Sequence, residues 1–240
     1  MTRSRTLRRV DVDQPRNDRA QARLSSTSGY AEEAATLGRR YEAITFEAAF
    51  GNFLPYMPEP PCQVADIGAG TGRDAAWLAE RGYEVTAVEP VPEMRAVARQ
   101  LHGDASVRWI DDALPGLHKL SGEFGLVLMR AVWMHLDASE RARALPRIAA
   151  LLAEGGRVMI TLRHGPVPAG RRMFEVAPEE IIDAAAPLGL KLLDLGHGGD
   201  TLGRAGVTWS RLVLERRSRL QILLRSNDCD SGEPGEVGVI

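Results

Sequence analysis

A glycine-rich turn between an apolar run and a short helix constrains the fold of this chain more than any other stretch. Residues 64–74 read VADIGAGTGRD, and the apolar run that ends in Asp66 predicts a buried parallel strand. Gly68, Gly70 and Gly72 lack a Cβ, so the backbone can turn sharply and bring its N–H groups close to a ligand. The positive end of the helix predicted after this turn points into the same space. The arrangement is typical of a nucleotide-binding turn in an α/β fold.

A second predicted strand ends in another acid. Residues 82–90 read GYEVTAVEP, and Glu89 follows Gly68 by 21 positions. A carboxylate at this separation reaches a ribose diol in nucleotide-binding folds, and its two acceptor oxygens match two adjacent hydroxyls. The alternative is that Glu89 is an exposed acid at a strand end.

The G-x-G-x-G spacing, with Asp66 two residues ahead of the first glycine, resembles motif I of the class I S-adenosylmethionine-dependent methyltransferases. A dinucleotide fold more often shows G-x-G-x-x-G. The resemblance extends over roughly residues 55–215 and implies an α/β fold, a seven-stranded mostly parallel sheet with helices on both faces and an antiparallel last strand. It also implies S-adenosyl-L-methionine as cofactor, and transfer of its methyl group to O, N or S of an acceptor by in-line displacement.

The remaining elements follow in the order that the resemblance implies. Apolar periodicity predicts one or two helices over 30–53, and Pro92 and Asp137 each begin a further helix. Gly125 stands where the family usually carries Asp. The other strands are predicted at 107–110, 124–130, 157–162, 190–195 and 208–214. The short connection before the last strand fits an antiparallel hairpin.

The resemblance also implies cofactor contacts at the carboxyl ends of the first four strands. Asp66 would order the methionine amine, Glu89 would bind the ribose, and Asp112 would accept a hydrogen bond from the exocyclic amine of adenine. Arg73 would pair with the cofactor carboxylate or, alternatively, face solvent. The predicted cofactor-binding residues are Asp66, Gly68, Ala69, Gly70, Arg73, Glu89, Pro90, Asp112, Ala113 and Arg130.

His135 is the candidate general base. It follows the fourth predicted strand, where open α/β sheets place their ligands, and its unperturbed pKa of about 6.5 suits base catalysis at neutral pH. The alternative is a histidine that only packs. The candidate substrate-contacting residues are Tyr30, Tyr41, Trp133 and His164, each of which could instead be part of the packing.

Composition limits the classes of site and partner. The 240-residue chain has a net charge of −2, which gives no bulk attraction to nucleic acid or to an anionic membrane. It contains no apolar run of about 18 residues and no secretory signal, so we predict no membrane span. Cys62 and Cys229 follow no metal-ligand spacing, which predicts no metal site and a cytoplasmic location.

We divide the chain into three predicted parts. Residues 1–28 form a flexible basic arm, since residues 1–25 hold seven arginines against three aspartates. Residues 29–218 form the methyltransferase domain, in which 29–60 supplies N-terminal helices over the site. Residues 219–240 are a C-terminal tail. The arm is a solvated tail or, alternatively, a contact for tRNA, and the oligomeric state is open.

A small molecule is the predicted methyl acceptor. The chain lacks the Asn/Asp-Pro-Pro-Tyr/Phe segment with which amino-methylating DNA enzymes hold a flipped base, and residues 130–133 read RAVW at that place. The alternatives are a tRNA or protein N/O-methyltransferase, a cofactor-binding regulatory module without turnover, and an NAD-dependent oxidoreductase. The glycine spacing and the antiparallel last strand disfavour the oxidoreductase.

Overall fold

The computed structural model describes residues 26–218, and seven strands in that part of the chain form one sheet. The strands are β1 (Gln63–Ile67), β2 (Glu84–Val88), β3 (Val107–Ile110), β4 (Phe124–Arg130), β5 (Leu152–His164), β6 (Leu190–Gly199) and β7 (Thr208–Arg216). Their order across the sheet is β3-β2-β1-β4-β5-β7-β6. Neighbours from β3 to β5 pair in parallel, whereas β7 pairs antiparallel with both β5 and β6. The predicted fold class, including the antiparallel last strand, is therefore confirmed.

Six α-helices surround this sheet in the described residues. They are α1 (Tyr30–Glu42), α2 (Phe46–Phe50), α3 (Arg73–Glu80), α4 (Pro92–His102), α5 (Ala138–Leu151) and α6 (Pro178–Ala185). The start of α5 is a capping box, because the Asp137 side chain accepts from the Glu140 N–H and the Glu140 side chain accepts from the Asp137 N–H. Short 3₁₀ turns occupy Gly51–Tyr56, Trp133–His135 and Ala186–Leu188.

Alternation along the central strands divides the core between the two faces of the sheet. On β4, Leu126 and Leu128 pack with α2 and α3, while Val127 and Met129 pack with α5 and α6. This period of two is what a strand buried on both faces requires. A third, smaller cluster joins α1 to α4, and it holds α1 over the carboxyl ends of the first strands.

Two local features differ from the sequence predictions. Strand β5 begins at Leu152 rather than Arg157, because the register between β4 and β5 shifts at this point and takes the Gly155–Gly156 pair into an irregular start of the strand. Gly125, the position at which the family usually has Asp, lies against Cys62, and a Cβ there would stand 2.4 Å from Sγ of that cysteine. The glycine at this position therefore accommodates the thiol on the neighbouring chain segment.

Several predictions concern parts of the chain outside the described residues. The basic arm over residues 1–25 and the C-terminal tail over 219–240, including Cys229, are among them. The division into three parts and the cytoplasmic location therefore stay predictions. Within residues 26–218, no helix combines the length and the apolar character needed to cross a bilayer.

Candidate functional site

A cavity of about 520 Å³ opens at the carboxyl ends of β1, β2, β4 and β5, beneath α1. This is the place where open parallel sheets bind their ligands. The cavity collects most of the residues that the sequence predicts for the site. They are Tyr30, Tyr41, Asp66, Gly68, Ala69, Gly70, Arg73, Glu89, Pro90, Asp112, Ala113, Arg130 and His135.

The glycine turn adopts a conformation that only glycine takes without strain. Gly68, Gly70 and Gly72 have φ angles of 70°, 57° and 79°, in the left-handed region. A Cβ on Gly68 would also stand 2.5 Å from the Val132 side chain. Close packing of the turn against the segment after β4 therefore requires the first glycine for space as well as for conformation.

The N–H groups of this turn are already used within the protein, which differs from the sequence prediction that a ligand approaches them. Gly68 and Ala69 both donate to the carbonyl oxygen of Val88, at 2.7 and 3.1 Å. Gly70 donates to Oε2 of Glu89 at 2.9 Å. A pyrophosphate site would need such donors free, so this turn is poorly suited to a dinucleotide.

Glu89 is a buried carboxylate fixed by two backbone donors. Its side chain follows β2 and is 6% exposed, with Oε2 on the Gly70 N–H and Oε1 on the Val91 N–H, both at 2.9 Å. Burial raises the pKa of Glu89 while these two hydrogen bonds oppose the shift. Each oxygen keeps a further lone pair with which it can accept from a hydroxyl.

Asp66 is more deeply buried and less well satisfied. It is 2% exposed, lines the cavity, and its Oδ2 has no hydrogen-bond partner within residues 26–218. Burial, and secondarily the charge of Asp74, raise the pKa of Asp66 well above its ordinary value. An unsatisfied carboxylate oxygen at a cavity wall is suited to a cationic ligand such as an amine.

Asp74, by contrast, is held between two arginines. Arg73 donates to its Oδ1 through Nε at 2.8 Å and Nη2 at 2.5 Å, and Nη1 of Arg130 lies 3.3 Å from Oδ2. A third donor of Arg73 is bonded to the carbonyl oxygen of Tyr41. Arg73 therefore joins α3 to the end of α1 and is not simply solvent-facing.

Asp112 shapes the wall that follows β3. Its Oδ1 accepts from the Ala113 N–H at 2.8 Å and its Oδ2 from the Lys119 N–H at 2.5 Å. The residue is 6% exposed and lines the cavity. Its present bonds hold the 113–119 loop in place, and the remaining lone pairs could accept from a ligand amine.

His135 and Tyr30 form a hydrogen-bonded pair under α1. The Nδ1 of His135 lies 2.6 Å from the carbonyl oxygen of Arg172, and its Nε2 lies 2.9 Å from the Tyr30 hydroxyl. A carbonyl only accepts, so Nδ1 carries the proton, and Nε2 of the neutral ring accepts from Tyr30. Burial lowers the pKa of His135 and raises that of Tyr30, which favours the neutral form of both at pH 7.

Two predicted substrate contacts lie away from the cavity, which corrects the sequence prediction. Trp133 is 1% exposed and packs in the core on the α5 side of the sheet, because the 3₁₀ turn after β4 directs its ring inward. His164 bonds through its two ring nitrogens to Glu175 and Ser210, each at 2.8 Å. Neither residue lines the cavity.

A group of arginines at the far side of the cavity is absent from the site residues predicted from the sequence. Arg163 is the penultimate residue of β5, Arg171 lies in the following loop, and Arg204 lies between β6 and β7. The position of Arg163 at the carboxyl end of a central strand was a usable signal. Arg171 and Arg204 come from loops that only the tertiary fold brings to the cavity. No group of His, Cys, Asp and Glu within residues 26–218 has a metal-binding arrangement.

Comparison with known proteins matches the central part of this fold. Residues 64–156, from β1 to the first part of β5, match a family described as a methyltransferase domain. The matched segment is 93 of the 240 residues, and over this segment the chain is similar to that methyltransferase family. The match covers the glycine turn, both acids of β1 and β2, and the segment that carries His135.

Curated relatives match this chain over about half its length. An uncharacterized methyltransferase of Mycobacterium tuberculosis is 32% identical over an alignment of 142 residues, with a coverage of 51% of this chain and 54% of the relative. Protein-L-isoaspartate O-methyltransferase of Aeropyrum pernix is 30% identical over 126 residues, or 50% and 46% of the two chains. The chain thus spans about half the length of the curated relatives it matches.

Solved structures extend the likeness of fold to most of the chain. The 1,6-didemethyltoxoflavin-N1-methyltransferase of Burkholderia thailandensis has a TM-score of 0.62 and 24% identity, covering 87% of this chain and 94% of that one. A TehB-like methyltransferase of Corynebacterium glutamicum has a TM-score of 0.60 and 22% identity, with coverage of 78% and 98%. At these identities the likeness describes the fold.

Asp66 and Asp200 have carboxyl pKa values that are shifted in opposite directions. Because the pKa of Asp66 is raised in the folded protein, the folded state favours the protonated carboxyl group. The stability that Asp66 contributes is therefore fully present below the unfolded pKa of about 3.9 and is lost as pH rises through the folded pKa. We therefore expect Asp66→Asn to stabilise the ligand-free protein near pH 7.5 by about 1–2 kcal/mol, or about 2–8 °C in Tm. The gain should disappear towards pH 4.

Asp200 is the matched control. It accepts from Arg204 and from the indole of Trp209, and these bonds, those of Arg204 foremost, lower its pKa. Its contribution is present above the unfolded pKa and is lost as pH falls through the folded value. Asp200→Asn should therefore lower Tm at pH 7.5. Calorimetric scans from pH 4 to 8 measure both, and an equal loss of Tm in the two variants would contradict the assignment of Asp66.

Proposed function

We propose that this protein is an S-adenosylmethionine-dependent methyltransferase that methylates O, N or S of a small molecule. The observation that carries the proposal is the set of buried acids around the glycine turn. Asp66, Glu89 and Asp112 each line the same cavity and are at most 6% exposed. A cofactor with an amine, a sulfonium, a ribose and an adenine offers these acids cations and hydrogen-bond donors.

The residues present fit this cofactor. The unsatisfied Oδ2 of Asp66 suits the cofactor amine, the free lone pairs of Glu89 suit the ribose diol, and Asp112 with the small Ala113 suits adenine. Arg130, 21% exposed and only loosely paired with Asp74, is available to the cofactor carboxylate. When bound, S-adenosylmethionine supplies a methyl carbon that accepts a lone pair from the acceptor while the carbon–sulfur bond breaks.

A dinucleotide cofactor fits less well. Four N–H groups of the turn, those of Gly68, Ala69, Gly70 and Gly72, donate within the protein, and the neighbouring acids would repel a pyrophosphate. The match of residues 64–156 to a methyltransferase family supports the same choice. The fold by itself is weaker support, since a [4+2]-cyclase named SpnF shares it with a TM-score of 0.54.

Tyr30 and His135 together are the proposed general base of the site. His135 keeps Nε2 basic by donating through Nδ1 to the Arg172 carbonyl, and Tyr30 donates to that Nε2. The Tyr30 hydroxyl can therefore accept the proton released by the acceptor while it passes its own proton to His135. Because the two protons move together, Tyr30 stays neutral and His135 ends as the imidazolium.

The dimensions of the site favour a small acceptor. A cavity of about 520 Å³ must hold cofactor and acceptor together, which is the size range of a small-molecule site. The similar Burkholderia enzyme was crystallised with 1,6-didemethyltoxoflavin and S-adenosylhomocysteine. A contact of residues 1–25 with tRNA finds no support in these comparisons, and the transfer experiment below includes it as an outcome.

Glu89→Gln tests the cofactor assignment. The amide group would face the Gly70 or Val91 N–H and lose an acceptor for the ribose, so we expect S-adenosylhomocysteine to bind about 5–150-fold more weakly, equivalent to about 1–3 kcal/mol. Glu84→Gln is the control, because Glu84 lies at the exposed start of β2 and bonds to the Gln63 side chain. Isothermal titration calorimetry with equal affinities for the two variants would refute the role of Glu89.

Transfer of a labelled methyl group tests the activity and the acceptor class. We expect the protein to move label from methyl-labelled S-adenosylmethionine into the low-molecular-weight fraction of a bacterial extract, and not into the retained RNA or protein. His135→Asn keeps a donor for the Arg172 carbonyl and removes the base, so it should lower the rate by about 10²–10⁴-fold with unchanged affinity for S-adenosylhomocysteine. Label only in RNA would favour the tRNA alternative, and an unchanged rate would remove His135 as the base.

A further inference from the structure

Arg163 is a buried cation in the cavity wall without a partner among residues 26–218. It is 9% exposed, it lines the cavity, and neither Nε nor Nη1 has a hydrogen-bond acceptor in that part of the chain. The residue stands near the end of β5, opposite Trp209 of β7. A guanidinium stays charged at neutral pH, so the fold holds a full positive charge here.

Asp200, the acid whose charge acts on Arg163, is already engaged by another arginine. Asp200 receives two hydrogen bonds from the Arg204 guanidinium, at 2.6 and 2.9 Å, and a third from the indole of Trp209. Arg171, also on the cavity wall, pairs with Glu33 at 3.0 Å. Burial, followed by the charge of Arg204, lowers the pKa of Arg163, and the charge of Asp200 opposes this shift only in part.

Asp66, a buried acid, lies across the cavity from the buried cation Arg163. Asp66 presents an unsatisfied carboxylate oxygen at the β1 end, and Arg163 presents unsatisfied donors at the β5 end. Burying either group without a hydrogen-bond partner costs free energy. An arginine on the protein surface would not carry this cost, because water would solvate its guanidinium. The two ends of the cavity therefore call for ligand groups of opposite charge.

We propose that Arg163 binds an oxyanion of the methyl acceptor, a carboxylate or a phosphate, and so selects small anionic substrates. This rests on the proposed function, in which the cofactor occupies the acidic end of the same cavity. A guanidinium fork binds such an anion in a bidentate manner and fixes its orientation. Tyr30 lies within electrostatic range of Arg163 and bonds to His135, so the anchored acceptor would lie beside the proposed base.

Binding of matched probes tests this assignment without knowledge of the natural substrate. Benzoate and phenyl phosphate carry the two oxyanions, and benzamide is the neutral analogue of benzoate. The full chain is titrated with each probe by ligand-observed NMR, with and without saturating S-adenosylhomocysteine. We expect one or both anions to bind to the wild-type protein at least about tenfold more tightly than benzamide, and the preferred anion identifies the substrate group.

Three variants separate a binding role from a structural one. Arg163→Met should weaken anion binding at least about tenfold and Arg163→Lys by less, since lysine keeps the charge but not the fork. Arg157→Met is the control, because Arg157 lies on the same strand away from the cavity, paired with Glu215 at 3.2 Å. All three should bind S-adenosylhomocysteine as the wild type does. Arg163→Met should also raise Tm without ligand, whereas loss of a structural arginine would lower it.

The outcomes distinguish this inference from the proposed function. Anions that bind no better than benzamide, or equally well to the wild type and to Arg163→Met, would overturn the role of Arg163 even if S-adenosylhomocysteine binds normally. Failure of S-adenosylhomocysteine to bind would overturn the proposed function, while anion binding that depends on Arg163 would still establish the oxyanion site.

Discussion

Asp66 and Glu89 are carboxylates that the fold removes from water at the carboxyl ends of two adjacent parallel strands, and the rest of the site depends on their burial. The register that pairs β1 with β2 places both side chains at one edge of the sheet. Apolar packing on both faces of the central strands supplies the stability that this arrangement requires. Glu89 is partly satisfied by two backbone N–H groups, whereas Oδ2 of Asp66 is not.

The cavity separates acidic from basic side chains, although the net charge of the chain is small. The chain as a whole is close to neutral, yet the cavity has acids near the glycine turn and arginines near the end of β5. Such a division lets one cavity bind a cationic and an anionic ligand side by side, each desolvated by the other and by α1. It also predicts that the ligand-free protein is less stable than it could be, as is common at functional sites.

Much of the fold followed from local sequence patterns. The limits of β3, β4 and α4 were predictable because apolar runs, proline and glycine mark both ends of each element. The start of β5 was not, because it depends on a register shift against β4 that no local pattern encodes. The capping box at Asp137 was readable from the sequence, since both of its partners lie within one helical turn.

The site was predictable where the residues follow strand ends and not where partners come from a distance. The sequence could not show that the turn N–H groups donate to Val88 and Glu89, that Trp133 points into the core, or that Tyr30 caps His135 across 105 positions. The pairing of Arg204 with Asp200 likewise depends on the loop between β6 and β7. Because Arg204 occupies Asp200, Arg163 has no acidic hydrogen-bond partner in the described residues. The basic end of the cavity could therefore be identified only from the tertiary structure.

The central claim is that the turn and the two acids bind the adenosyl end of S-adenosylmethionine. A crystal structure of the protein with S-adenosylhomocysteine tests it most directly. The account predicts the ribose hydroxyls on Glu89, the adenine beside Asp112 and Ala113, and the amine on the Asp66 side of the cavity. Density for the compound elsewhere on the protein, with this cavity empty at saturating concentration, would contradict it.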